Sequence, residues 1–187
     1  MAKVKAFPNE AEEKIEFLIS RRSVRRFTQE NIDDELIEKI LYAARYAPSA
    51  RNSQPWIFIV VREKSLKEEL SRIHPYAYPL REAPLGIAVA CDKRLSPTSY
   101  MLDCANATIY LMLAAHAYGI GTVWIQALRD IEKISELLSL PPDIIPIAIV
   151  AMGYPAETPK PRPRKSLDEL VFLNRYGERM GGENKKV

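Results

Sequence analysis

The chain has 187 residues, 47% apolar and 27% charged, enough for one domain with a sizeable core. Its formal net charge of +3 is too small to mark a nucleic-acid binder, and no apolar run approaches the roughly 20 residues that cross a bilayer. Cys91 and Cys104 lie in apolar stretches outside any CxxC pair, and the two histidines form no ligand cluster. No metal is therefore expected, and both thiols read as buried and free. Residues 1–20 contain no leader-like apolar segment, so a cytoplasmic location is expected.

Asn9 with Glu12 resembles a capping box, and the helix that follows puts Ile15, Leu18 and Ile19 on one face until about Ser20. Next comes Arg21-Arg22-Ser23-Val24-Arg25-Arg26-Phe27. Arginine forks bond phosphate oxygens in pairs, so this run is a candidate phosphate cradle; a solvated basic surface is the plainer reading. Asp33 is positioned to cap a second helix carrying Leu36, Ile37, Ile40, Leu41 and Ala44 at helical spacing. Pro48 is expected to stop that helix, because its ring clashes with the preceding turn.

Pro48-Ser49-Ala50-Arg51-Asn52-Ser53-Gln54-Pro55-Trp56 then forms a loop between two prolines. Its hydroxyl and amide side chains donate and accept hydrogen bonds without charge, which suits the edge of a planar heterocycle. Residues 56–61 read as a buried strand. Ser65 is placed to cap a short charged helix to about Ile73, and residues 74–79 form a loop in which Tyr76 and Tyr78 either cover a flat ligand or pack inward. Leu85–Cys91 reads as a second buried strand.

Residues 98–118 form the longest expected helix, apolar on nearly every side, with Asp103, Asn106 and Tyr110 as its polar stripe. A helix apolar all round must be buried all round, and burial between two copies of the chain is the simplest way to achieve it. Gly119 and Gly121 end the helix before a strand at 122–127. Asp130 should cap a helix through Leu138, and Pro141-Pro142 turn the chain into a strand at 145–152. Pro155, Pro159, Pro161 and Pro163 alternate with Lys160, Arg162, Arg164 and Lys165, which forces an extended arm. Ser166 and Glu169 form a capping box for a last short helix. A single domain over 1–176 is expected, with a disordered tail from 177 to 187. There is no Gly-x-Gly-x-x-Gly fingerprint, no phosphate-loop GKS or GKT, and no Ser–His–Asp pattern.

Together, Arg21-Arg22-Ser23-Val24-Arg25, the Pro48–Trp56 loop and the Gly119–Ala127 segment resemble the nitroreductase family of FMN enzymes. The resemblance implies an α+β fold, a mainly antiparallel sheet flanked by helices, in an intertwined homodimer with two FMN sites at the subunit interface. It implies that Arg21, Arg22, Ser23 and Arg25 hold the FMN phosphate and ribityl chain, with Arg162 and Arg164 closing over the phosphate. Pro48, Ser49, Ala50 and Asn52 would approach FMN from the partner, and Gln126 and Ala127 would lie beside the ring. Chemistry would reside on FMN, with no catalytic side chain. NADH or NADPH would deliver a hydride to flavin N5, and a nitroaromatic or quinone would collect it in a ping-pong cycle. Where the larger bacterial members of that family often carry Glu-Gly, this chain has Gln126-Ala127, which leaves the small-molecule acceptor open. A flavin-cleaving or dehalogenating enzyme on the same scaffold and a non-catalytic FMN-binding protein are the alternatives. No nucleic-acid or membrane partner is expected.

Overall fold

The computed structural model describes residues 8–179. Strands β1 (Trp56–Val61), β2 (Leu85–Asp92), β3 (Gly121–Gln126) and β4 (Ile144–Gly153) form one antiparallel sheet in the order β1–β2–β4–β3. The helices are α1 (Pro8–Ser20), α2 (Asp34–Ala44), α3 (Lys64–Leu70), α4 (Pro79–Glu82), α5 (Tyr100–Ala117), α6 (Ile131–Leu137) and α7 (Leu167–Leu170). The architecture is α+β, as expected.

The sheet is a middle layer. On one face, Ile37 and Ile40 of α2 and Leu111 and Ala115 of α5 pack against Ile87, Val150 and Met152. On the other, Leu70, Leu80 and Ile134 from α3, α4 and α6 meet Ala88, Ile125 and Ile149. Strands covered on both faces read as continuous apolar runs rather than alternating ones, which explains the sequences of β2 and β4. The sequence of β1 is just as apolar, yet it is an edge strand, and Ile57 and Val60 are exposed. The expectation of a buried strand there is corrected: an apolar run does not distinguish centre from edge.

Several local expectations hold. The Asp130 carboxylate accepts from the Lys133 N–H at 3.2 Å and caps α6. The Glu169 carboxylate reaches back to the Ser166 N–H at 2.9 Å. Others shift. Helix α2 ends at Ala44, before Pro48, through a turn at residues 45–47. Glu63 rather than Ser65 precedes α3, and the Ser65 hydroxyl donates to the Glu63 carboxylate. Tyr76 and Tyr78 face outward, while Ala77, Pro79 and Leu80 face the core. The side chain of Asn9 lies outside the described residues.

Cys91 and Cys104 are joined as a disulfide, with their Cα atoms 6.2 Å apart. This corrects the expectation of free thiols. The first turns of α5 cross the end of β2, a juxtaposition that twelve intervening residues do not announce. At the C-terminal end, Phe172 pairs with Arg179, whose guanidinium stacks 4.3 Å from the Phe172 ring. The rest of the expected tail, 180–187, lies outside the described residues.

Helix α5 buries Cys104, Ala107, Thr108, Leu111, Met112 and Ala115 within the chain. Its other face stays open: Leu102 is 70% exposed and Ile109 46%. Ile15, Leu18 and Ile19 of α1 are also exposed. One copy of the chain therefore covers only half of the apolar helix. No helix of the described residues is long and apolar enough to cross a membrane.

Candidate functional site

The Arg21–Thr28 segment is extended and pinned from both sides. On one side, Ser23 bridges Thr122, and the Val24 N–H donates to the Thr122 carbonyl at 3.0 Å. On the other, the Thr28 N–H donates to the Tyr154 carbonyl and the Ala156 N–H to the Arg26 carbonyl, both at 2.9 Å. The Glu157 carboxylate accepts from the N–H groups of Arg25 at 2.6 Å and Arg26 at 3.2 Å. Two glycines permit this close approach. A Cβ on Gly121 would stand 2.9 Å from Val24, and one on Gly153 would stand 3.0 Å from Phe27, closer than packed carbon atoms ordinarily come. Val24 and Phe27 anchor the segment in the core, so the arginines between and beside them face outward.

Among the described residues, Arg21, Arg22, Arg25, Arg162 and Arg164 form no ion pair. They turn instead to backbone carbonyls: Arg21 to Arg22 at 3.1 Å, Arg22 to Arg21 at 3.0 Å, Arg25 to Ser23 at 3.3 Å and Arg164 to Arg162 at 3.5 Å. Burial, followed by the neighbouring cations Arg22 and Arg164, holds the Arg21 guanidinium below its usual pKa. Arg164 is thus close enough to Arg21 to repel it. Such a cluster is relieved by an anion.

A cavity of about 490 Å³ opens beside this cluster, walled by Arg21, Arg22, His116, Thr122 and the Pro155–Pro161 arm. Glu16 and Glu157 are also on its wall, but neither pairs with an arginine. The His116 ring stacks on Phe17 at 5.0 Å, and its Nε2 lies 2.9 Å from Ser20 Oγ. The Ser20 hydroxyl donates to the Phe17 carbonyl. Burial and the Arg21 and Arg22 charges lower the His116 pKa, opposed by the Phe17 backbone.

The other expected site residues lie elsewhere in the chain. Gln126 and Ala127 are at the far end of β3, roughly 13 Å along the strand from Thr122. Gln126 is exposed and Ala127 buried. Beside them, burial and the Arg129 charge lower the His74 pKa, while the Gln126 backbone raises it. Pro48, Ser49, Ala50 and Asn52 sit against the first turns of α5, with Arg51, Asn52 and Gln54 at positive φ. Asp103 and His116 mark the two ends of α5, and thirteen residues of helix separate them by roughly 20 Å. The loop and the cavity are therefore far apart within one chain.

The nitroreductase family model matches residues 18–77 and 74–154. The chain belongs to the nitroreductase family. A protein of Methanothermobacter thermautotrophicus, provisionally named an NADH dehydrogenase/NAD(P)H nitroreductase, is 40% identical over 79% of this chain and 80% of its own length. A solved structure of the same provisional name from Parabacteroides distasonis is 30% identical, with TM-score 0.84 over 88% of this chain and 99% of that one. The FMN-dependent nitroreductase of Clostridium difficile is 31% identical, with TM-score 0.77 over 87% of this chain and 99% of that one.

Sequence reasoning found the arginine run and the proline-rich arm, but not Glu157, Ser20 or His116 on the same cavity. Lone glutamates and histidines give no sequence signal. Asp103 and Asn106 were visible as a polar stripe, without a role.

Proposed function

We propose that this member of the nitroreductase family is an FMN-dependent NAD(P)H oxidoreductase that works as a homodimer. The observation that carries the reading is the unbalanced cluster of Arg21, Arg22 and Arg164 beside a cavity large enough for an anionic group. Arg21, Arg22, Ser23 and Arg25 hold the phosphate and ribityl chain, and Arg162 and Arg164 close the arm over them. Gln126 and Ala127 border the ring. Pro48, Ser49, Ala50 and Asn52 come from a second copy, because α5 keeps them roughly 20 Å from the cavity of their own chain. FMN held there would supply the redox chemistry, carrying reducing equivalents from NADH or NADPH to a nitroaromatic or quinone acceptor. The chain's own part is to bind, orient and leave one ring face open. With no fingerprint for a separate nicotinamide site, donor and acceptor use that face in turn.

The test is a pair of half-reactions under anaerobic conditions. The purified protein should show a flavin spectrum that NADH or NADPH bleaches. After NAD(P)⁺ is removed by gel filtration, a quinone alone should restore the colour. A protein that binds no flavin, or that needs donor and acceptor together, would overturn the reading.

A further inference from the structure

We infer that Asp103 is the residue that positions the Pro48–Trp56 loop, an inference that rests on the flavin reading above. The Asp103 side chain is 3% exposed and forms no ion pair among the described residues. Its Oδ1 accepts from the Ala50 N–H at 2.9 Å, and its Oδ2 accepts from the Ser96 hydroxyl at 2.6 Å. A buried carboxylate without a cation is costly to keep. Its place in the first turn of α5 offsets part of that cost, since the helix dipole favours negative charge there. One turn further on, Asn106 Nδ2 donates to the Pro48 carbonyl at 3.1 Å. The two side chains thus grip the backbone on either side of Ser49.

The loop needs such a grip. Arg51 and Asn52 have φ of 55° and Gln54 has φ of 47°, in the left-handed region that non-glycine residues disfavour. Strained backbone of this kind persists where its surroundings over-determine it. Inside the loop, the Gln54 N–H donates to Ser49 Oγ and the Asn52 N–H to the Ser49 carbonyl, both at 3.1 Å. Among the described residues, Ser53 Oγ is buried without a partner. Asp103 and Asn106 tie the first half of the loop to α5, while the Asp92 N–H donates to the Pro55 carbonyl at 2.8 Å and holds its end to β2. Asp103 and Asn106 do not belong to the cavity wall; they act through the loop. Because the same helix carries the open apolar face, the loop is fixed relative to whatever covers that face.

The experiment compares Asp103→Ala, Asp103→Asn and Asn106→Leu in the full chain. Two readouts are used: hydrogen exchange of the Ala50 amide in flavin-free protein, and FMN and riboflavin affinities by flavin fluorescence. Asp103→Ala should exchange Ala50 faster and weaken both flavins by the same factor, about tenfold if one molecule in ten keeps the competent loop. Asp103→Asn retains an acceptor toward Ala50 and should recover most of both. Asn106→Leu, at an exposed position, should move both readouts in the direction of Asp103→Ala, and it carries the test if Asp103→Ala does not fold. Unchanged Ala50 exchange, or flavin affinities equal to wild type, would overturn the inference. If wild type itself bound neither flavin, the flavin reading would fail instead, and the exchange data would still show whether Asp103 holds the loop.

Discussion

Replacing Arg21 with alanine should act in opposite directions on the empty and the loaded protein. In the empty protein, Arg21 is half-buried and repelled by Arg22 and Arg164. Its removal eases that repulsion and gives up one hydrogen bond to the Arg22 carbonyl. The flavin-free variant should therefore melt no lower than wild type. In the loaded protein, Arg21 would donate to a phosphate, and a hydrogen bond to a charged partner contributes roughly 1.5–3 kcal/mol. FMN affinity should then fall by about 10- to 150-fold. Riboflavin lacks the phosphate, so its affinity should not change. The assay is fluorescence titration with both flavins beside a thermal melt without either. An equal loss for FMN and riboflavin, or a clearly lower melting temperature in the flavin-free variant, would refute the argument. Either result would make Arg21 a structural residue.

Leu111→Ala, fully buried between α5 and the sheet, should cost about 2–5 kcal/mol of unfolding free energy in urea. A loss below that range would mean that α5 repacks. Ile109→Cys should cross-link two chains on mild oxidation, read on a non-reducing gel, while Leu102→Cys should not; the reverse pattern would place the two-fold axis elsewhere. His116 and His74 both have pKa values lowered in the fold from 6.5, chiefly by burial. The unfolded chain then binds more protons between the folded value and 6.5, so this stability is present above pH 6.5 and is lost as pH falls through the folded values. His116→Phe should remove part of that slope in urea melts taken across this window, and an unchanged slope would contradict the assignment.

The legible parts of this molecule are those set by local pattern. β2, β4 and α6 follow from apolar runs, prolines and the Asp130 cap. The arginine run and the proline-rich arm were legible as two basic clusters, although nothing local brings Arg164 near Arg21. That meeting depends on β4 returning the chain beside Arg26 and Phe27, through the Ala156 and Glu157 contacts. The disulfide is hidden for the same reason, since it requires α5 to cross β2 at one particular turn. The edge position of β1 is a property of strand order, which Ile57 and Val60 cannot report. Asp103 illustrates a third case. Its polarity on an apolar helix was visible, but its partner Ala50, 53 residues earlier, lies in a segment that only the fold brings to it.

If the open face of α5 is covered by a second copy of the chain, it also constrains where the two-fold axis lies. In an isologous dimer, residues on the two-fold axis meet their own copies, and residues equally far from it on either side meet each other. If the loop held by Asp103 in one chain is to reach the cavity walled by His116 in the other, the axis must cross α5 midway between those positions. The midpoint falls between Ile109 and Tyr110. Both residues are on the open face, 46% and 41% exposed, which is where a helix pair crossing at its middle would need them. An axis nearer Leu102 would set two loops against each other and leave both cavities uncovered. The exposed apolar residues of α1, next to His116 through Phe17, would then also lack a partner. One placement of the axis thus covers α5, brings loop to cavity twice, and gives Ile15, Leu18 and Ile19 a surface to pack on.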